Sequence, residues 1–242
     1  MTAQLRLLDL QAVDSALASL TQRRRALPEQ VALDHLSATA ADASSDLVGA
    51  QTRVSDLELD TERAEADLDP VRQRLTRNEK RIADGTVDAK ALGSMVEEIA
   101  HLRRRISDLE DLELESMEAL ELAQAERDAL QTRVDGLAAE LDTATGARDA
   151  AVQKLTLEAN YQRTERDRLA PEIPADLLTL YTRIQTSKGG VGAAALVHRS
   201  CTGCQLQVNA NELREYATTA PDEVLRCEEC GRILVRTAES GL

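Results

Sequence analysis

The sequence predicts a mainly α chain: a long antiparallel coiled-coil hairpin followed by a small C-terminal β module. Three observations predict it. Apolar residues recur at alternating spacings of three and four through most of the first 155 positions. Phe and Trp are absent, and only Tyr161, Tyr181 and Tyr216 carry aromatic rings. The four cysteines fall in two Cys-x2-Cys pairs near the C-terminus.

Aromatic side chains supply much of the buried area of an ordinary core, so their scarcity in 242 residues argues against one large globular core. The remainder is rich in Ala, Leu, Glu, Asp, Arg and Gln, the composition of exposed helices whose apolar surface is confined to a seam. A formal charge of −14 disfavours a protein that coats nucleic acid along its length. Arg6 and Asp9 interrupt the first ten residues, which therefore lack the apolar run of a signal peptide. No stretch approaches the roughly 20 apolar residues of a membrane span. A cytoplasmic location is expected, with no membrane association.

The first apolar run is Leu10, Val13, Leu17, Leu20, Leu27 and Val31, with Arg24 intruding. Pro28 lies where this run loses phase with the next, and a proline removes an i→i−4 hydrogen bond, so a break is expected there. Residues 36–82 then carry an unbroken alternation: Leu36, Ala40, Ala43, Leu47, Ala50, Val54, Leu57, Thr61, Ala64, Leu68, Val71, Leu75, Asn78 and Ile82. All share one helix stripe, the definition of a coiled-coil seam. A second seam runs from Leu92 through Met95, Ile99, Leu102, Ile106, Leu109, Leu120, Ala123, Leu130, Val134, Leu137, Leu141, Ala144 and Ala151 to Leu155, interrupted by Glu113, Ser116, Arg127 and Arg148. Between the seams, Gly85 suits a helix end and Asp88 a helix start. Two long helices joined by so short a turn fold back on each other; the alternative is one continuous helix in a parallel homodimer, against which the turn at 83–88 argues.

Pro171 and Pro174 end the second arm, and residues 175–187 read as a short amphipathic helix. The segment Lys188-Gly189-Gly190-Val191-Gly192 lacks the Gly-Lys-Ser/Thr ending of a phosphate loop and reads as a flexible linker. Short strands are expected at 194–199, 205–208, 224–226 and 232–236, with a brief helix or loop at 209–217. The domains are thus 1–170, the coiled-coil hairpin with its turn near 83–88, and 171–242, the short helix, Gly-rich linker and cysteine module.

Cys201 and Cys204 are separated from Cys227 and Cys230 by 22 residues. A two-residue gap lets one tight turn present both thiolates to one ion, and two such turns complete the tetrahedron zinc adopts with four sulfurs. Gly203 and Gly231 stand where these knuckles need close backbone approach or positive φ. The module is therefore read as a β zinc ribbon with one structural Zn²⁺ per chain. Four protein ligands leave no open coordination position for catalysis. Iron would accept the same ligands, and disulfides are set aside by the expected compartment.

The sequence resembles the bacterial C4-type zinc-ribbon family in which a coiled-coil hairpin precedes a C-terminal ribbon. The matching residues are Cys201-Thr202-Gly203-Cys204 and Cys227-Glu228-Glu229-Cys230-Gly231-Arg232-Ile233-Leu234. Past the hairpin turn, Lys90, Leu92, Glu98-Ile99 and the run Leu109-Glu110-Asp111-Leu112-Glu113-Leu114-Glu115-Ser116-Met117-Glu118 also match. Many members carry Pro where this chain has Glu228, and Glu where it has Ala91. The resemblance implies a non-enzymatic adaptor or chaperone. Some relatives are tied to an alternative sigma factor and flagellar control, with a ribbon proposed to bind nucleic acid.

Charge supplies an independent hint about the working surface. From Val71 to Arg105, nine basic residues (Arg72, Arg74, Arg77, Lys80, Arg81, Lys90, Arg103, Arg104 and Arg105) face five acids, whereas from Ile106 to Asp142 twelve acids face two arginines. A basic hairpin tip suits phosphates or an acidic protein surface; it is also what an ordinary solvated helix face would show. In the ribbon, Lys188, Arg199, Arg226, Arg232 and Arg236 are the candidate nucleic-acid contacts. His35, His101 and His198 are scattered, no catalytic triad or carboxylate pair stands out, and no small-molecule substrate is implied. Two functional classes remain: a nucleic-acid-binding zinc-ribbon protein with the hairpin as an interaction arm, and a protein–protein adaptor or chaperone working through the coiled coil.

Overall fold

The computed structural model describes residues 3–242, the side chain of Ala89 aside. Its elements are α1 (Ala3–Arg25), α2 (Pro28–Ala83), α3 (Ala89–Leu169), a 3-10 turn (Ala170–Glu172), α4 (Ala175–Ser187), β1 (Ala193–Val197), β2 (Ser200–Cys201), α5 (Ala210–Thr218), β3 (Leu225–Arg226) and β4 (Ile233–Arg236). Two long helices form the hairpin and four short strands form the ribbon. The helices pass through two compact units, Ala32–Thr145 and a second made of Met1–Val31 with Gly146–Leu242.

In the unit Ala32–Thr145 the expected stripe is the buried one. Every seam residue from Leu36 to Ile82 is buried or half-buried, and so are most α3 seam positions, including the polar intruders Glu113 and Ser116. Leu92 departs from the pattern and is 42% exposed. The antiparallel register is written in cross-helix contacts: Arg53 to Glu126 at 3.3 Å, Thr61 Oγ1 with Ser116 Oγ at 2.8 Å, Arg72 to Glu110 at 2.6 Å and Arg103 to Glu79 at 2.7 Å. At the turn, Gly85 takes φ 65° and donates its N–H to the Ile82 carbonyl. The Asp88 carboxylate accepts from the N–H groups of Lys90 and Ala91 at 3.0 and 2.7 Å, an N-cap satisfying two of the orphan donors that open α3. Pro70 lies inside α2 on its exposed side, where the carbonyl left without its helical partner stays accessible to solvent.

In the other unit, α1 ends before Leu27 and Pro28 opens α2, the helix position where a missing N–H is harmless. Leu20, Leu27 and Leu155 pack together across the chain, and Arg166 reaches Asp14 at 2.7 Å. The sheet order is β2-β1-β4-β3, with β1 and β4 parallel and both outer pairs antiparallel. Successive strand residues face opposite sides, and β4 uses both. Ile233 and Val235 enter a core with Leu7, Leu10, Ile173 and Tyr181, while Leu234 enters a second core with Leu196, Tyr216 and the cysteines. Residues 205–208 form a single bridge, Gln207 with Ser200, rather than the expected strand.

The Gly-rich segment is the clearest correction to the sequence expectation. It is not a loose linker. Gln11 Oε1 accepts from the Gly192 N–H at 2.6 Å and the Ala193 N–H at 3.3 Å, and Gln11 Nε2 donates to the Gly190 carbonyl at 3.0 Å. A Cβ on Gly192 would lie 2.7 Å from the Tyr181 carbonyl oxygen. The glycines allow a close, hydrogen-bonded approach.

Candidate metal centre

The two knuckles are built alike. In the first, the Gln205 N–H donates to the Cys201 carbonyl at 2.7 Å and the Cys201 N–H to the Leu206 carbonyl at 3.0 Å. In the second, the Gly231 N–H donates to the Cys227 carbonyl at 2.8 Å and the Cys227 N–H to the Arg232 carbonyl at 3.0 Å. The residue after the second cysteine takes positive φ in both, 62° at Gln205 and 71° at Gly231. Gly203 serves the other expected purpose: a Cβ there would lie 2.9 Å from Arg232 Cδ and 3.0 Å from Ala194 Cβ.

The sulfurs fit zinc. Cys201 Sγ lies 3.9 Å from Cys230 Sγ, Cys204 Sγ lies 3.8 Å from Cys227 Sγ, and all four are within 4.8 Å of one another. A tetrahedron with Zn–S arms of about 2.3 Å has edges of about 3.8 Å. Cys201 and Cys227 are buried, and Cys204 and Cys230 are half-buried. Burial raises the Cys201 thiol and pushes Cys227 up to about 12. Burial acts on Cys230 in the same sense, but hydrogen bonds from Arg232 and with Cys227 and Cys204 together outweigh it and bring that thiol down to about 7. A dication at the centre of the four sulfurs displaces the remaining protons. The site is closed and structural.

The five cationic candidates of the ribbon are only partly brought together. Lys188, Arg226 and Arg232 meet at the second knuckle, where both Lys188 Cε and Arg226 Nη2 lie within 4 Å of where a Gly231 side chain would start. Arg199 is in the β1–β2 turn and Arg236 closes β4. All four arginines donate to main-chain carbonyls. Arg232 spans Val191, Gly203 and Lys188 at 3.0, 3.3 and 3.0 Å, and Arg226 holds Gly231 at 2.9 Å. Arg236 caps the end of α5 through Tyr216 and Thr219 at 3.1 and 2.7 Å, and Arg199 reaches Gly241 at 3.1 Å. An acidic cluster stands beside them: burial first, then Glu228 and Glu229, raises the Glu212 carboxyl above its ordinary value. The cationic candidates of the hairpin divide differently. Arg72, Arg74 and Arg103 pair with Glu110, Glu98 and Glu79. Arg77, Lys80, Arg81, Lys90, Arg104 and Arg105 are exposed.

A polar network missed in the sequence lies under the ribbon. The Tyr181 hydroxyl donates to Asp14 at 2.7 Å, and Asp14 also accepts from Arg166 at 2.7 Å. Burial, then Asp14, raises the Tyr181 hydroxyl far above its ordinary value, so it stays a donor. Gln4, Gln11 and Asp14 are the polar members of the buried face of α1, beside Leu7, Leu10 and Leu20. The three-four-three spacing of Gln4, Leu7, Gln11 and Asp14 was the available signal.

Comparison with known proteins agrees with this architecture. The CT398-like coiled coil hairpin domain matches residues 10–189, and the C4-type zinc ribbon domain matches residues 200–234. The chain belongs to this hairpin family. It is 33% identical over 230 residues to Rv2229c of Mycobacterium tuberculosis, covering 95% of this chain and 94% of that protein. A structure from Mycobacterium smegmatis superposes with a TM-score of 0.85 at 36% identity, covering 98% of this chain and all of the other. CT398 from Chlamydia trachomatis superposes at 0.70 with 16% identity, covering 97% and 98% of the two chains, a likeness of fold alone. Family and sulfur geometry together assign one structural zinc ion to the four cysteines. Among the described residues, no helix is long and apolar enough to cross a membrane.

Proposed function

We propose that this member of the family is a non-enzymatic protein–protein adaptor that engages an acidic partner through the basic turn region of its hairpin. The observation that carries the reading is how the two sets of cations are used. In the ribbon, each of the four candidate arginines gives at least one donor to a carbonyl oxygen of the fold. Around the hairpin turn, Arg77, Lys80, Arg81, Lys90, Arg104 and Arg105 project without ion pairs among the described residues. An exposed excess of positive charge steers and orients a complementary partner.

The test is recovery of partners from cells with Arg104→Ala plus Arg105→Ala. Both side chains are exposed, so the variant should fold as the wild type does. A nuclease-resistant protein partner lost in the variant supports the reading. A partner retained by the variant, or no protein recovered at all, refutes it.

The second reading, nucleic-acid binding through the ribbon, draws support from the meeting of Lys188, Arg226 and Arg232 at one knuckle. Arg226 and Arg232 are unsuitable for testing it, because removing them frees the carbonyls they hold. Lys188 is exposed, and among the described residues its ammonium holds no carbonyl. A phosphate contact there would make Lys188→Ala reduce the salt slope of binding by about 1.

A further inference from the structure

An acidic-rimmed apolar cleft lies beside the ribbon, in the unit that contains it. It has a volume of about 650 Å³, inside the range of sites that enclose ligands or anchoring side chains. Leu177, Leu180 and Val224 give it an apolar floor, and Gln4, Asp176 and Asp222 stand around it. The cleft is distinct from the zinc centre and from the basic hairpin turn.

Two features prepare it for a partner. First, the wall formed by residues 219–224 is pinned from both sides. Gln4 Nε2 donates to the carbonyls of Asp222 and Glu223 at 3.1 and 2.9 Å. Arg236 donates to those of Thr219 and Ala220 at 2.7 and 2.5 Å. A wall already fixed loses little further freedom when something binds against it. Second, the Asp176 and Asp222 carboxylates are exposed and have no ion-pair partner among the described residues. A cation entering the rim would meet two unshared carboxylates.

We propose that this cleft docks a basic segment of a partner protein, with one large apolar side chain seated on Leu177, Leu180 and Val224 and a flanking Lys or Arg between Asp176 and Asp222. The open rim of exposed residues suits one face of a polypeptide. The charge fixes its sign: an acidic or neutral apolar segment would bury its anchor beside two uncompensated carboxylates. This site does not depend on the hairpin cations, and its failure would leave the adaptor reading standing.

The experiment pans a random dodecapeptide display library on the full-length zinc-loaded chain, then measures the selected peptides by fluorescence anisotropy. Enriched peptides should pair a large apolar residue with Lys or Arg and lose binding to Leu180→Asp. The second variant, Asp176→Asn with Asp222→Asn, alters only exposed side chains and keeps the fold testable. It should weaken binding roughly fivefold at low salt, with the difference shrinking as salt is raised. Failure to enrich any sequence, enrichment of acidic or neutral peptides, or equal binding by the double Asn variant would overturn the proposal.

Discussion

Gln205 and Gly231 occupy equivalent places in the two knuckles: each follows the second cysteine, turns its N–H back to the first cysteine's carbonyl, and takes a left-handed φ of 62° or 71°. Only one of them is glycine. A side chain in that conformation costs about 1 kcal/mol or more. Gln205→Gly should therefore stabilise the ribbon by roughly 0.5–1 kcal/mol once the greater freedom of the unfolded chain is offset. Gly231→Ala should destabilise it by about the same. Denaturant midpoints followed by zinc release would show the two substitutions moving in opposite directions.

The thiols give the metal centre a pH dependence with a definite sign. Without metal, burial raises Cys201 and holds Cys227 at about 12, so both are protonated near neutrality, and zinc must displace those protons to bind. Affinity should rise with pH and fall on acidification, with log affinity changing by at least about two per pH unit across neutrality, and by more on the acid side, where Cys230 also becomes protonated. Competition with a chromophoric chelator at several pH values measures that slope. A flat profile would mean the thiolates exist before the metal arrives.

Much of this fold is legible in the sequence, because a seam residue announces itself by spacing and the metal ligands by type. From Leu36 to Ile82 the alternation of three and four marks the buried stripe without error, and the sulfurs of the four cysteines converge as their spacing implies. What stays hidden is polar. The buried face of α1 sets Gln4, Gln11 and Asp14 beside Leu7, Leu10 and Leu20, so apolar periodicity finds Leu10 and Leu20 and passes over the three polar members. The ribbon arginines read as free surface charge because sequence carries no sign of the carbonyls they cap. The Gly-rich segment reads as loose because its partner, Gln11, is about 180 positions away.

That segment gives a sharp substitution test. Gly192→Ala would place a methyl group 2.7 Å from the Tyr181 carbonyl oxygen and 2.8 Å from its ring, and neither is a flexible side-chain end. The strand start and α4 would have to separate, straining the Gln11 hydrogen bonds as well. A loss of about 2–3 kcal/mol is expected, measured by denaturation of the zinc-loaded protein. Gly136→Ala, in open space within α3, should instead stabilise by up to about 1 kcal/mol.

Two polar residues of the α2 seam, Thr61 and Asn78, are of opposite character. Thr61 and Ser116 satisfy each other at 2.8 Å, whereas Asn78 is buried with Nδ2 lacking any partner. An unsatisfied buried donor costs about 1–3 kcal/mol. Asn78→Leu should raise the stability of the unit Ala32–Thr145 by about 1–2 kcal/mol, and Thr61→Ala should lower it by exposing Ser116's missing partner. If Asn78 fixes the register, as a lone seam asparagine can, the leucine variant will also show alternative cross-helix disulfide pairings when cysteines are placed along the seam.

Loss of the metal should be felt beyond the ribbon itself. The ribbon does not have a private core: Ile233 and Val235 of β4 pack with Leu7 and Leu10 of α1 and with Ile173 and Tyr181, while the neighbouring Leu234 packs with the cysteines. Strand β4 therefore couples the zinc centre to α1 through alternate residues of four. In Cys204→Ser, or after chelation, the small cysteine-lined core loses the metal that holds it, and β4 loses its footing on one face. Hydrogen exchange should then accelerate in residues 193–236 and also in the first half of α1, where Gln11 and Asp14 hold the ribbon's approach through Gly192 and Tyr181. Residues 32–145, a compact unit by themselves, should keep their protection, so far-UV circular dichroism should fall only slightly. Exchange confined to 193–236, with α1 unchanged, would show that the shared core survives without β4.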